Sequence, residues 1–265
     1  MPVEPVTVDD PSDPRLADYV GLSDAALRRE GTTFIAEGEL VIRQLLRSPY
    51  PVRSVLVTPA RWAALESVLA GVDAPVYVAS LDVMRAVAGF NIHRGAVASA
   101  TRLPLPDPLS LLAPARRVAV LEGLNDHENL GVLFRSAAAF GIDAVLLDPT
   151  CADPLYRRAV RVSLGHVLQV PFTRLSPWPS ALAMVRDAGF NLVALTPRPA
   201  ALPVSVLEAS ANDKVALLLG AEGPGLSPVA LSMADRWVRI PIDPDVDSLN
   251  VGTAAAIAFH RAAGS

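Results

Sequence analysis

Between positions 32 and 102, short β-type runs alternate with amphipathic ones. Thr33-Phe34-Ile35-Ala36-Glu37 predicts a strand that leads into a helix over 39–47, in which Leu40, Ile42, Leu45 and Leu46 face inward and Arg43 and Gln44 face solvent. A strand over 52–58 precedes a helix over 59–69, whose Pro59 suits a first helical turn. Val76-Tyr77-Val78 is followed by a helix over 80–88 capped by Ser80, and a strand over 95–101 closes a small α/β unit. Pro104, Pro106, Pro108 and Pro114 then deny the chain ladder donors and helix continuity, which predicts a linker over 103–115.

Beyond the linker the alternation restarts. Strands are predicted near 118–121, 144–147, 167–170, 192–195, 215–219 and 237–240, with helices between most of them. Strand–helix alternation at this spacing implies a mostly parallel sheet with helices on both faces, and such sheets take ligands at the carboxyl ends of their strands. The expected organisation is therefore α/β: residues 1–14 without packed structure because they are rich in Pro and Asp, a small α/β domain over 15–102, the linker, and a larger domain over 116–265.

Composition narrows the function classes. The chain has 265 residues, 51% of them hydrophobic, a size that favours two domains, and a mean hydropathy of +0.36, yet no apolar run reaches the roughly 18 residues of a bilayer crossing. The first residues lack the basic cluster and apolar core of a secretion signal, and Cys151 is the single cysteine, so neither a disulfide framework nor a thiolate metal cage is available. These features predict a cytoplasmic protein without a metal. A net charge of −4 argues against broad, nonspecific binding to nucleic acid but leaves room for a local basic patch.

Three motifs fall at predicted strand ends of the second domain. The first runs from Glu122-Gly123-Leu124-Asn125-Asp126-His127-Glu128-Asn129 into a helix ending near Phe140, with Gly141 as its stop. Leu130, Leu133, Phe134, Ala137 and Ala138 form its apolar stripe, and Arg135 lies well off it. Asn129 reads equally as a helix cap. The second, Gly220-Ala221-Glu222-Gly223-Pro224-Gly225, follows a buried strand; its glycines allow close backbone approach, and their order is not the dinucleotide fingerprint. Glu222 reads locally as the acid before the helix that begins near Leu226 and Ser227. The third is Ile240-Pro241 followed by Ser248-Leu249-Asn250-Val251, where a polar stretch opens an Ala-rich helix and Ser248 or Asn250 can cap it.

Taken together, the three motifs resemble those of the SpoU-type, TrmH-like RNA ribose 2′-O-methyltransferases of the SPOUT superfamily, in order, strand context and spacing over 116–262. The first domain is similar to that family's auxiliary RNA-binding domain, with Phe34 to Gly38 and His93-Arg94-Gly95 as matching segments. The resemblance implies a deep C-terminal trefoil knot, an exception to the rule of unknotted chains. It also implies a homodimer, S-adenosylmethionine as cofactor, and RNA as substrate, with ribosomal RNA favoured over transfer RNA. Carried over by position, Leu195, Thr196, Gly220, Ala221, Glu222, Gly223, Ile240 and Leu249 are expected to hold the cofactor. Arg135, Asn129, Glu222, Ser248 and Asn250 are expected to serve catalysis.

A general-base role is often suggested for the arginine of such enzymes, but deprotonating a guanidinium at pH 7 costs roughly 7 kcal/mol. Arg135 is better read as a cation that grips phosphate and stabilises a developing alkoxide, with Glu222 fixing the arginine or ordering its loop. Arg157, Arg158 and Arg161 are expected RNA contacts, since Arg157 and Arg161 share a helix face, and Arg198 is a weaker candidate. Two departures from the family pattern stand out: Gly252 replaces the usual Ser after Asn-Val, and the acidic Asp243 to Asp247 loop lacks a usual Gly. They leave open a non-catalytic RNA-binding relative. An unrelated α/β enzyme binding a nucleotide, such as a dehydrogenase, is the third reading.

Overall fold

The computed structural model describes residues 4–22, 31–89, 95–207 and 213–263, and the chain divides into two units. The first holds residues up to Leu103 together with 155–169, and the second holds 104–154 and 170 onward.

In the first unit β1 (Val6–Thr7), β2 (Thr33–Glu37), α1 (Glu39–Leu45), β3 (Val52–Val57), α2 (Pro59–Leu69), β4 (Val76–Val78), α3 (Leu81–Ala88) and β5 (Ala96–Thr101) build a mixed sheet in the order β1-β4-β3-β5-β2. The predicted caps form: Thr58 Oγ1 accepts from Arg61 N–H before α2, and Ser80 Oγ from Val83 N–H before α3. The opening residues differ from expectation. Val6 and Thr7 pair in parallel with β4, and the following Val8 is buried in the first unit's core beside Leu16, Tyr19 and Tyr77. In α1 the inward residues are Val41, Ile42 and Leu45, while Leu40 is exposed, so the apolar stripe is rotated by one position from the sequence reading.

The second unit begins with α4 (Pro108–Leu112), inside the stretch expected to be a linker. Pro108 sits at the first helical position, where its missing N–H is no loss, and Asp107 caps the helix. Then come β6 (Arg117–Glu122), α5 (His127–Ala139) and β7 (Ala144–Leu147). The next helix, α6 (Arg157–Val162), belongs to the first unit. The second unit resumes with β8 (Phe172–Arg174), α7 (Leu182–Asp187), β9 (Asn191–Leu195), β10 (Leu202–Pro203), β11 (Val215–Gly220), α8 (Pro228–Met233), β12 (Arg236–Arg239) and α9 (Val251–Ala263).

Its seven strands are all parallel, in the order β10-β12-β9-β11-β6-β7-β8. β6, β7 and β11 are buried on both faces, which explains their unbroken apolar runs. On one face Val118, Val120, Leu146, Ala194 and Leu218 meet Leu182, Val185 and Leu231 of α7 and α8. α9 packs on α5 and β11.

The strand expected at 167–170 is instead a 3-10 turn, His166–Leu168, and the true strand starts at Phe172. Val167 and Leu168 are buried by packing, not by a ladder; a short apolar run does not distinguish the two. Pro171 precedes the strand and spends only its carbonyl, accepting from Val145 N–H.

Candidate active site

The first motif is held by two aspartates that the sequence reading did not single out. Asp126 Oδ1 accepts from the N–H groups of Glu128 and Asn129 at 2.7 and 2.8 Å, so Asp126 is the cap of α5. Asn129 is therefore not the cap, and its side chain is free to reach across. The buried Asp148 carboxylate accepts from Gly123, Thr150 and Cys151 N–H, fixing a turn in which Gly123 has φ +70°. Asp126 was legible as a cap residue just before an apolar run; Asp148 carries no local signal. Burial pushes the neighbouring Cys151 thiol up to about 12, which removes it as a nucleophile at neutral pH.

In the second motif the chain doubles back tightly. A Cβ on Gly220 would stand 2.2 Å from the carbonyl carbon of Gly225, so only glycine fits there. Gly225 N–H closes the turn on the Ala221 carbonyl at 3.0 Å, with Gly223 and Gly225 at φ +85° and +68°. The turn is anchored at its far end by Glu122, whose carboxylate accepts from Ser227 N–H and Trp178 Nε1, each at 2.7 Å. Glu222 projects from the turn toward α9. Its Oε1 accepts from Asn250 Nδ2 at 2.8 Å and Val251 N–H at 3.3 Å. It is a helix N-terminal acid, but for the helix that begins 29 residues later and not for α8, which Ser227 caps.

The third motif supplies the junction. Asn250 Oδ1 accepts from Gly252 and Thr253 N–H at 3.0 and 3.2 Å and so caps α9. Its amide donates to Asn129 Oδ1 at 2.7 Å and to Glu222 Oε1. One side chain thus joins all three motifs, across sequence separations of 121 and 28 residues.

Beside this junction lies a cleft of about 500 Å³, at the carboxyl ends of β9, β11 and β12. All eight residues expected at the cofactor line it: Leu195, Thr196, Gly220, Ala221, Glu222, Gly223, Ile240 and Leu249. Ser248 and Asn250 line it too, as do Ile242, Val251 and Ala254, apolar positions not expected at the cofactor.

Arg135 is exposed on α5, six residues past Asn129, and does not line the cleft. Among the described residues it makes no ion pair with Glu222; that carboxylate orders α9 instead.

The three arginines of α6 separate. Arg157, whose side chain is 11% exposed, places Nη1 2.9 Å from Oε2 of Glu37, itself 2% exposed. Arg157, expected as an RNA contact, is the partner of a buried carboxylate, which needs a cation in a dry site. Arg161 lies 3.7 Å from the same oxygen and keeps more exposure, and Arg158 is exposed. Arg198 stacks over the Trp237 ring at 5.3 Å. His93 and Arg94 lie outside the described residues. Among the described residues no cluster of three metal-ligating side chains occurs, and no helix is long and apolar enough to cross a membrane.

Residues 116–260 match the model of the SpoU rRNA methylase family. The chain is 49% identical to an uncharacterised tRNA/rRNA methyltransferase of Mycobacterium bovis over 260 residues, covering 96% of this chain and 90% of the relative. It is 28% identical to a 23S rRNA (guanosine-2′-O)-methyltransferase of Bacillus subtilis, covering 94% and 96%. The crystal structure of an AdoMet-bound rRNA methyltransferase from Sinorhizobium meliloti superposes with a TM-score of 0.77 at 25% identity, over 99% of this chain and 98% of that one.

Proposed function

The chain belongs to the SpoU rRNA methylase family, and we propose that it transfers a methyl group from S-adenosylmethionine to a ribose 2′-hydroxyl of ribosomal RNA. The observation that carries this reading is the Asn250 junction, which ties three distant motifs together at the edge of a cleft of ligand size.

The cleft suits the cofactor. Leu195, Ile240, Ile242 and Leu249 offer an aliphatic wall for a flat base, and Gly223 and Gly225 face open space, since a Cβ on either would meet no atom beyond its chain neighbours within 4 Å. When bound, S-adenosylmethionine supplies an electrophilic methyl on a sulfonium. The protein's part is to align the ribose for in-line displacement, which can lower the barrier by several kcal/mol.

Asn250 is committed on all sides, its oxygen to α9 and its amide to Asn129 and Glu222, so it acts as a positioning residue. Ser248 is exposed at the cleft wall and orients the ribose hydroxyl. Arg135 grips the adjoining phosphate and stabilises the oxygen as its proton leaves to water. Arg158 and Arg161 extend the contact with RNA from the first unit. The protein works as a homodimer through α9, whose Ala256 and Ile257 remain half-exposed while Ala255, Ala258 and Phe259 are buried. The C-terminal trefoil knot belongs to the same reading, supported by α9 packing against β11 and the 3-10 turn Val204–Leu207.

The ribosomal assignment is supported by similarity to the Bacillus subtilis enzyme along nearly the whole chain. Mapping 2′-O-methyl groups in RNA from cells with and without the protein tests it. One ribosomal position is expected to lose its methyl group, whereas a loss confined to transfer RNA contradicts the assignment.

A further inference from the structure

Gly252, in the first turn of α9, stands opposite a specific side chain. A Cβ built on Gly252 would lie 2.7 Å from Cγ1 and 3.2 Å from Cβ of Val132, and 3.2 Å from Oδ1 of Asn250. The first contact cannot be relieved cheaply, because a β-branched residue in a helix has essentially one χ1 rotamer and Val132 lies in the second turn of α5. The third would press on the oxygen that caps α9, which already accepts from Gly252 N–H.

Val132 is also placed at a decisive point. It follows Asn129 by three residues and precedes Arg135 by three, so the three residues form one row along α5. α5 and α9 run side by side in the same direction: Asn129 meets Asn250 at their starts, and Phe140 meets His260 at their ends with ring centroids 5.5 Å apart.

We propose that Gly252 and Val132 are a matched pair that sets the spacing between α5 and the first turn of α9, and thereby holds Asn250 within reach of Asn129 and Glu222. The absence of a Cβ at Gly252 on α9 is matched by the bulk of Val132 on α5. A serine at position 252 is therefore harmful in this chain unless Val132 is reduced as well. This inference rests on the methyl-transfer reading of the same cleft.

The test is a cycle of wild type, Gly252→Ser, Val132→Ala and the double variant, read by thermal midpoint, S-adenosylmethionine affinity from calorimetry, and kcat and KM on RNA. Gly252→Ser is expected to lower kcat at least tenfold with a smaller change in KM, and the double variant to return to within about threefold of wild type. The thermal midpoint is expected to fall in Gly252→Ser and recover in the double variant. A double variant as impaired as Gly252→Ser overturns the pair, and a lowered midpoint with wild-type kcat overturns its positioning role. If Gly252→Ser does not fold, Gly252→Ala supports the same comparison with a smaller intrusion. A wild type that neither binds cofactor nor methylates RNA defeats the functional reading instead, and the midpoints of the four proteins still decide the pair.

Discussion

Asn250 makes four hydrogen bonds through one side chain, two to the start of α9 and two to the other motifs. As a cap alone it contributes about 1 kcal/mol to α9. Joined to Asn129 and Glu222 it also fixes where the cleft wall stands. The cap was visible in the sequence because a polar residue precedes an Ala-rich run; the two cross-motif bonds were not, since nothing local in Asn250 names residues 121 and 28 positions away. For the same reason Glu222 read as the acid of the nearest helix, when folding delivers it to α9.

Arg135 has the opposite character: exposed, off the apolar stripe and outside the cleft wall. In the proposed mechanism it acts on the substrate. Arg135→Ala is expected to reduce methyl transfer at least a thousandfold, on the order of the 4 kcal/mol that a preorganised charge supplies, while leaving cofactor affinity within a factor of two. Single-turnover assays beside calorimetry check both parts, and wild-type turnover by the variant would remove Arg135 from the mechanism.

At the level of elements, long amphipathic or fully apolar runs were readable, and β3, β6, β7, β11 and α2 lie within a residue or so of their predicted limits. The missed and misplaced strands share one cause. β1 and β10 are two-residue edge strands whose existence depends on the partner strand, and residues 167–170 are buried by packing that local periodicity does not encode.

The opening segment is tied down by more than β1. The Arg53 guanidinium on β3 holds the Asp18 carboxyl below the usual carboxylate range, aided by Ser99 Oγ at 2.7 Å from β5. A depressed folded pKa means that the contribution to stability is present above the unfolded value, about 4, and is lost as pH falls through the folded one. With both groups partly solvated, Asp18→Asn is expected to cost about 0.5–1 kcal/mol at pH 7, and the difference from wild type is expected to shrink below about pH 4. Denaturant melts across that range check this; a gap that widens in acid would contradict the sign.

Across the whole molecule, the division into units was only partly legible. The proline-rich stretch marks the boundary near 103, but residues 155–169 belong to the first unit although they lie deep within the second in sequence. The buried Glu37 carboxylate and its partner Arg157 account for part of that assignment, and such a pairing shows only in three dimensions. Local pattern gave the parallel sheet, and the three motifs, read jointly, gave the cleft. Each motif alone had an ordinary structural explanation as a cap, a turn or a helix acid. The cap reading of Asn250 holds alongside the shared junction, whereas Asn129 yields the cap of α5 to Asp126 and Glu222 serves α9 instead of α8.

The Asn250 junction is proposed to build an S-adenosylmethionine site in the second unit. Titration of the purified protein with S-adenosylmethionine in a calorimeter addresses it directly. Saturable binding at one site per chain and no response to NAD are expected. Absence of heat with S-adenosylmethionine, or saturable binding of NAD in its place, would contradict it.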